Sequence, residues 1–423
     1  MNRSQAELLL PVKEVPAAIV VGIQKQGVDI EQVADDLLEM ERLLETLGVE
    51  ARGRIIQRRQ KLSPGHLLGL GKIQELTALA GAKHASLIII DHPLTGTQIK
   101  NLEELTSCQV LDRSAVILDI FAKHAKTKEA KTQVEIARLE YLLPRMVGAW
   151  THFERQAGGG VYVRGMGEKQ IEIDRRRARE RIGRLHKKLD AIRRERDTQR
   201  KLRRNELKVS VVGYTNSGKT TVMGALTLSD VRPEDRLFAT LDASIKPIDP
   251  NTRPKILLSD TVGFIQNLPP SLVASFKSTL EEVLNANLLL HIVDVSSRNY
   301  EAQMATTEAV LREIGASEIP IILVFNKIDL VDDPFLARIL RKKYKGCMVI
   351  SALNREDTKT LRSHIFNFFE ERFSEAEISV AYDDAERISL VYRSCVILDA
   401  NYEEDGVVHF HLRAAPAVLR KLI

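Results

Sequence analysis

A glycine-rich stretch in the middle of the chain constrains the fold more than any other feature. It covers residues 213–220, follows the strand-like run 208–212 and precedes the helix-permissive run 221–226. Strand, glycine-rich loop and helix in this order form the context that a phosphate-binding loop requires, because the backbone N–H groups and the helix N-terminus then point at phosphate oxygens. We therefore predict an α/β domain built around a nucleotide phosphate site.

The loop gives each of its residues a predicted role. Lys219 should reach the β- and γ-phosphates, and the Thr220 hydroxyl should bind Mg²⁺. Asn216 has two interpretations. It helps to hold a K⁺ ion, as an asparagine at this position does in proteins whose phosphate-binding loop depends on that cation, or it only tolerates the backbone geometry of the loop. The other predicted nucleotide contacts of this stretch are Gly213, Tyr214, Thr215, Ser217, Gly218 and Thr221.

Two further candidates concern the metal ion and the γ-phosphate. In Asp-Thr-Val-Gly, at the end of another strand-like run, Asp260 can join the Mg²⁺ shell and the Gly263 N–H can sense the γ-phosphate. Between the two motifs, Thr240 is the candidate switch threonine that closes on Mg²⁺ and the γ-phosphate. Lys219, Thr220, Thr240 and Gly263 are thus the predicted catalytic residues.

The last motifs select the base. The carboxylate of Asp329 in Asn-Lys-Ile-Asp can accept hydrogen bonds from both N1–H and the 2-amino group of guanine, a pair of donors that adenine lacks. A later Ser-Ala-Leu resembles the loop that closes over the guanine O6. The predicted base-site residues are Asn326, Lys327, Asp329, Ser351, Ala352 and Leu353. Five motifs in this order predict a GTPase domain with GTP and GDP as its ligands, and residues 205–370 resemble the translation-factor-like class of P-loop GTPases.

One position departs from the usual pattern. Phe264 follows Asp-Thr-Val-Gly, where many GTPases carry a glutamine that orients the attacking water. A phenyl ring cannot hydrogen-bond water, so either another group supplies this contact or a partner completes the site. Phe264 can also simply pack within a switch segment, and the two interpretations are compatible.

Composition narrows the class of protein. The length of 423 residues suggests roughly three domains, and 44% hydrophobic residues are enough for proper cores. No apolar run approaches the roughly 18 residues of a membrane span, and no signal-type apolar core follows the N-terminus. The three cysteines show no metal-binding spacing. We expect a monomeric cytoplasmic protein without a membrane span, and leave peripheral membrane association open.

The pattern of apolar residues suggests four parts. Residues 1–112 are predicted to form a small α/β domain with a parallel sheet, 113–204 a helical hairpin with a Gly/Arg-rich loop, 205–370 the GTPase domain, and 371–423 a small α+β domain with a β-hairpin. Gly-Leu-Gly-Lys at 69–72 lacks the full phosphate-loop spacing and is interpreted as a helix-entry turn. The long helix has a coiled-coil seam, and two helices joined by a loop are predicted to form an antiparallel hairpin. The seam residues are Ile171, Ala178, Ile182, Leu185, Leu189 and Ile192.

Charge is concentrated in the predicted hairpin. Residues 164–204 contain 17 Lys or Arg and 7 Asp or Glu, a net +10, whereas the whole chain is only +5. A charged helix is often just a solvated face. Here, however, six arginines between positions 175 and 184 lie close to a Gly/Arg loop, which favours contact with phosphates, and with RNA rather than DNA.

The arrangement resembles the HflX family of ribosome-associated GTPases over nearly the whole chain. The residues that carry the resemblance are 118–121, 133–135, 139–145, 158–160, 164–165, 167–168 and 173–176. Ala157 and the insert 161–163 depart from the usual glycine-rich loop, which concerns the geometry of its tip. The resemblance implies a GTPase that binds the large ribosomal subunit and its 23S rRNA, and splits stalled or idle ribosomes under stress. A subunit-assembly GTPase and a signalling switch with a protein effector are the alternatives.

Overall fold

The computed structural model describes residues 16–59, 62–147, 166–201, 206–227, 237–238, 244–261, 263–266, 282–402 and 406–423, without the side chains of 166–170 and 196–201. These residues form two compact units. Unit 1 contains the described residues up to Arg193 together with Leu237 and Phe238, and unit 2 contains the others. The fold is α/β as predicted, whereas the division into four domains remains a prediction.

Unit 1 begins with a four-stranded parallel sheet in the order β2-β1-β3-β4. The Asp29 carboxylate caps the first helix, and Gly48, in the left-handed region with φ 82°, ends it. Gly69 is the N-cap of the second helix, so the turn interpretation of 69–72 is confirmed. The elements are β1 (Ala17–Gln24), α1 (Ile30–Leu47), β2 (Glu50–Arg58), α2 (Leu70–Ala82), β3 (Leu87–Ile90), α3 (Gly96–Thr106) and β4 (Gln109–Asp112).

Buried hydrogen bonds join this sheet to the helices that follow it. These helices are α4 (Arg113–His124), α5 (Lys128–Leu142), a 3₁₀ turn (Leu143–Val147) and α6 (Met166–Lys201). Asp112, buried at the end of β4, accepts hydrogen bonds from the Tyr141 hydroxyl at 2.9 Å and from Arg145 at 3.1 Å. A buried carboxylate is stable only with such partners, so these bonds fix the start of the helical region against the sheet.

The predicted seam of α6 is buried where it meets α5, but the predicted direction is wrong. Leu185 and Leu189 pack with Ile136 and Leu139. Glu135 pairs with Arg181, and Glu140 lies 3.9 Å from His186. Both numbers rise together, so at this contact the two helices advance in the same direction rather than antiparallel. An apolar seam decides which faces meet and not their direction, and the 23 residues between the helices are too many to act as a tight turn.

The larger sheet of unit 2 has the order β10-β9-β8-β5-β7-β6, in which only β6 is antiparallel to its neighbour. One apolar core lies between this sheet and helices α7 and α10. The elements are β5 (Leu207–Gly213), α7 (Lys219–Thr227), β6 (Ser244–Pro247), β7 (Ile256–Asp260), β8 (Leu288–Asp294), α8 (Tyr300–Glu313), β9 (Ile321–Asn326), a 3₁₀ turn (Ile328–Leu330), α9 (Leu336–Lys343), β10 (Met348–Val349) and α10 (Arg355–Glu370).

The chain then forms a three-stranded antiparallel sheet in the order β11-β13-β12. Alternate side chains of β13 are buried in a core with residues of the two helices of this part of the chain. The antiparallel pairing of β12 with β13 confirms the predicted β-hairpin. The elements are β11 (Ser374–Ala381), α11 (Ala385–Ser394), β12 (Val396–Tyr402), β13 (Val407–Ala414) and α12 (Pro416–Leu422). Among all the helices described, none has the length and apolar character needed to cross a bilayer.

Candidate functional site

The glycine-rich loop lies between β5 and α7, at the carboxyl edge of the larger sheet, as predicted. Two of its glycines are required by close neighbours. A Cβ on Gly213 would lie 2.3 Å from the Ile292 carbonyl oxygen, and one on Gly218 would lie 2.3 Å from the Asn326 side-chain nitrogen. Gly218 also has φ +90°, which L side chains rarely adopt. The loop is therefore fixed by its surroundings as well as by its own sequence.

The ammonium group of Lys219 is buried inside this loop. It donates to the carbonyl oxygens of Gly213 at 3.2 Å and Tyr214 at 2.6 Å. Burial lowers the pKa of Lys219 from its ordinary 10.5 to about 8, and the carboxylate of Asp260 opposes that shift. An ammonium group held by carbonyls is ready to exchange them for phosphate oxygens, which are stronger acceptors.

Two hydroxyl groups of the loop are also placed to bind an anion. The Thr215 and Ser217 hydroxyl oxygens are buried, and among the described residues neither has a hydrogen-bond partner. A buried hydroxyl without a partner is costly, so a ligand that accepts from it gains affinity. This supports the predicted contact of both residues with phosphate.

The segment with Gly263 is paired with the loop. The Phe264 N–H donates to the Gly213 carbonyl at 3.1 Å, and the Thr215 N–H donates to the Phe264 carbonyl at 2.7 Å. A Cβ on Gly263 would lie 3.0 Å from the Lys219 nitrogen, so this backbone passes beside the lysine. The Phe264 ring is buried, which agrees with its packing role.

The base motifs are bound to the same loop through one side chain. Asn326, buried at the end of β9, donates to the Ser217 carbonyl at 3.0 Å and accepts from the Ala352 N–H at 2.9 Å. It therefore joins three segments that the sequence identified separately. Ser351 is fixed next to it, because its N–H donates to Asp357 at 2.8 Å.

The remaining base-site residues are more open. Lys327 has φ 63° and pairs with Asp294 at 2.7 Å. Asp329 is exposed in the 3₁₀ turn, and Leu353 is exposed after the Ser-Ala pair. An exposed carboxylate beside an open surface is placed to accept from a base that enters from solvent.

Comparison with known proteins agrees with this geometry. Family models described as GTP-binding GTPase N-terminal and GTP-binding GTPase Middle Region match residues 34–122 and 124–203, and one described as 50S ribosome-binding GTPase matches residues 208–327. The GTPase HflX of Gluconacetobacter diazotrophicus is 41% identical over 96% of this chain and 97% of that protein. The chain belongs to the HflX family of GTPases.

Two further proteins are similar to different degrees. GTPase HflX of Escherichia coli is 44% identical, over 71% of this chain and 70% of that protein. A GTP-binding protein from the archaeon Sulfolobus solfataricus, solved in complex with GDP, is 28% identical with a TM-score of 0.44, covering 83% of this chain and 98% of that one. As an HflX GTPase, the protein hydrolyses GTP to GDP and phosphate.

The residues that would hold Mg²⁺ in this HflX GTPase fit that ion. The Thr220 hydroxyl lies 2.9 Å from a carboxylate oxygen of Asp260. Hydroxyl and carboxylate are the hard oxygen ligands that Mg²⁺ takes together with substrate phosphates. Within the described ranges there is no group of three or more His, Cys, Asp or Glu side chains that could hold a metal by itself.

Thr240, the other predicted Mg²⁺ ligand, lies outside the described residues. Phe238, two positions before it, is grouped with unit 1, where its ring packs edge-on against Phe121 of α4 with centroids 4.7 Å apart. Its φ of 58° is unusual for a bulky residue. Phe238 is thus packed within unit 1 of this HflX GTPase.

Sequence reasoning missed several residues of the site. Asp294 and Asp357 support Lys327 and Ser351, but each belongs to no short motif and is recognised only from the structure. His291 is buried in β8 beside Val212 of β5, and its pKa is lowered to about 4 by burial and then by the charge of Lys219. A polar residue in the middle of an apolar strand was the available signal.

The basic helix α6 has the exposed arginines that its sequence predicts. Arg176, Arg177 and Arg181 have carboxylate partners on α5 or α6. Arg179 and Arg184 are exposed and have no ion-pair partner within the part of the chain that is described. The predicted Gly/Arg loop, residues 155–165, lies outside the described residues.

Proposed function

We propose that the protein couples GTP hydrolysis to work on ribosomes: it binds the large (50S) subunit through 23S rRNA and splits stalled or idle 70S particles under stress. GTP would favour the bound state, and hydrolysis would release the factor. The observation that carries the proposal is the exposed arginine face of α6 in a chain that also has the predicted guanine-nucleotide motifs at one edge of a parallel sheet. The family model described as 50S ribosome-binding GTPase also supports it.

The charges on α6 favour a polyanion over a protein effector. Arg179 and Arg184 lie on a helix whose charged residues are mostly Lys and Arg. A cluster of basic residues is the electrostatic footprint of phosphate contact. Such contacts make affinity fall steeply with salt. An effector-binding switch has no need of this excess charge.

The ribosome is also proposed to complete the catalytic centre. The Phe264 ring cannot orient water because it has no hydrogen-bonding group. The residue is also buried, and its backbone is hydrogen-bonded to the phosphate loop. The missing contact would then be supplied on the bound particle, with Thr240 closing on Mg²⁺ and the γ-phosphate.

A K⁺ ion at Asn216 belongs to the same proposal. Asn216 has φ 58°, a conformation that asparagine tolerates well, so a purely conformational role is the competing explanation. Asn216→Gly separates the two, because glycine keeps the backbone conformation and removes the side-chain oxygen. Loss of the K⁺ over Na⁺ stimulation in this variant supports the ion contact, and full retention contradicts it.

The deciding experiment measures GTP hydrolysis in K⁺ buffer with and without purified 50S subunits, and follows 70S particles by sedimentation. Strong stimulation by 50S and GTP-dependent loss of the 70S peak are expected. Stimulation only by precursor particles would instead indicate a subunit-assembly factor. No stimulation, with GTP still bound, would indicate a protein-effector switch.

A further inference from the structure

Three tyrosines are exposed together at one end of the three-stranded sheet. Tyr382 follows β11, Tyr392 lies on α11 and Tyr402 ends β12, with 45%, 43% and 63% of their surfaces exposed. We call these residues the tyrosine cluster. Tyrosines combine a large contact area with few rotatable bonds and are over-represented at binding hot spots. An exposed group of three therefore indicates a surface that binds a partner.

The rings are held in place by one another and by the core of the sheet. The rings of Tyr382 and Tyr402 have centroids 6.3 Å apart at an angle of 36°, and the hydroxyl groups of Tyr392 and Tyr402 are hydrogen-bonded. The Tyr392 ring packs edge-on against Phe410, which is buried, at 5.8 Å. The three partly exposed rings are thus fixed against one another and against the core, which lowers the entropy cost of binding.

Charge indicates the chemistry of the partner. Residues 371–423 contain 10 Asp or Glu and 6 Lys or Arg, a net −4, in contrast to the basic α6. Asp383 and Glu386, close to Tyr382 in the chain, are exposed, and among the described residues neither has an ion-pair partner. The two arginines of α11 already have partners within the domain. Arg387 lies 3.9 Å from Asp384 and donates to the Leu422 carbonyl, and Arg393 donates to the Ser389 carbonyl.

We propose that the tyrosine cluster is a docking site for a Lys- or Arg-rich protein segment. Guanidinium and ammonium groups are attracted to aromatic faces, and the carboxylates of Asp383 and Glu386 add to that attraction. A nucleic acid could also stack on the rings, but its phosphates would be repelled by the negative charge of this part of the chain. The proposal goes beyond nucleotide hydrolysis and does not depend on the proposed action on ribosomes.

The test uses the full-length protein and a short fluorescein-labelled peptide of alternating Arg and Ser, with a Gln-for-Arg peptide as the probe control. Fluorescence anisotropy gives the affinity for the wild type, for Tyr402→Ala and for Tyr402→Phe. We expect about a fivefold loss for Tyr402→Ala and less than about twofold for Tyr402→Phe, which keeps the ring. Equal affinity for the wild type and Tyr402→Ala overturns the proposal.

A second variant keeps the test valid if Tyr402→Ala perturbs folding. Asp383→Asn combined with Glu386→Gln leaves the rings untouched and should weaken the Arg peptide about twofold to fivefold, more at low salt. Unchanged affinity in this variant overturns the electrostatic assignment. Tighter binding of a labelled single-stranded oligonucleotide than of the Arg peptide, lost in Tyr402→Ala, would make the cluster a base-stacking site and also overturn the proposal.

Discussion

The nucleotide site and the basic helix α6 use polar residues in opposite ways. In the nucleotide site Lys219, Asn326 and Asp260 are buried and hydrogen-bonded, Lys219 within its own loop and the other two to segments far away in the chain. On α6, Arg179 and Arg184 are exposed on one element. A network of buried, hydrogen-bonded polar groups fixes one geometry and therefore one ligand. Exposed charges determine only the sign of the charge on the partner. Substitutions should therefore cost much more in the first region than in the second.

The largest effect is expected for Lys219→Ala. It removes the buried ammonium group that is predicted to reach the β- and γ-phosphates, and loss of a preorganised charge of this kind costs about 10²- to 10³-fold in turnover. Single-turnover GTP hydrolysis measures it. Lys345→Ala, at an exposed lysine, is the matched control and should retain the wild-type rate. Turnover within about tenfold of the wild type in Lys219→Ala would contradict the assigned role of the lysine.

The next effect concerns Asn326, which joins the phosphate loop to the base site. Asn326→Ala leaves the Ser217 carbonyl and the Ala352 N–H without this partner, which should lower the free energy of unfolding by about 2–4 kcal/mol. Urea unfolding and GTP titration measure stability and affinity. Asn326→Asp keeps the acceptor for the Ala352 N–H but places a buried carboxylate oxygen against the Ser217 carbonyl, so it should be at least as destabilising as the alanine variant. An alanine variant as stable as the wild type would show that these two hydrogen bonds of Asn326 do not stabilise the protein.

Alkaline pH tests the buried lysine without a mutation. The pKa of Lys219 is about 8 rather than its ordinary 10.5, so the ammonium group loses its proton above about pH 8. Affinity for GTP should therefore fall by up to about tenfold per pH unit above that value. The contribution of Lys219 to stability has the opposite sign: the unfolded chain binds more protons between pH 8 and 10.5, so stability rises with pH there. Titrations from pH 7 to 9.5 test this, and affinity that stays constant in the wild type would contradict it.

The smallest effect is expected on α6. Arg179→Gln with Arg184→Gln should leave GTP affinity and intrinsic hydrolysis unchanged. If both side chains contact phosphate, it should reduce the slope of log affinity for 50S subunits against log salt by roughly 2. Arg176→Gln with Arg177→Gln is a comparison pair, since both residues already have carboxylate partners. An unchanged slope in the first pair would locate RNA contact elsewhere.

The same contrast explains what the sequence could predict. Positions 213–220, Asp260 and Asn326 were predicted because short motifs encode local geometry at strand ends, and the structure brings them together. The direction of α6 relative to α5 was not predictable, because Leu185 and Leu189 pack equally well in either sense. β2 was missed because its side chains alternate between half-buried and exposed, without an apolar run. Asp294 and Asp357 act through partners that only tertiary structure supplies.

The Asn326 side chain has a further consequence for how the two ends of a nucleotide are recognised. Because one amide holds the phosphate loop and the base loop at a set separation, a nucleotide meets the protein as a two-pronged ligand. Once one end is seated, the other is presented at a high effective concentration. Guanosine alone and pyrophosphate alone should each bind weakly, and their binding free energies should add up to less than that of the intact nucleotide. The site thus selects a ligand by the distance between its base and its phosphates as well as by the chemistry of each.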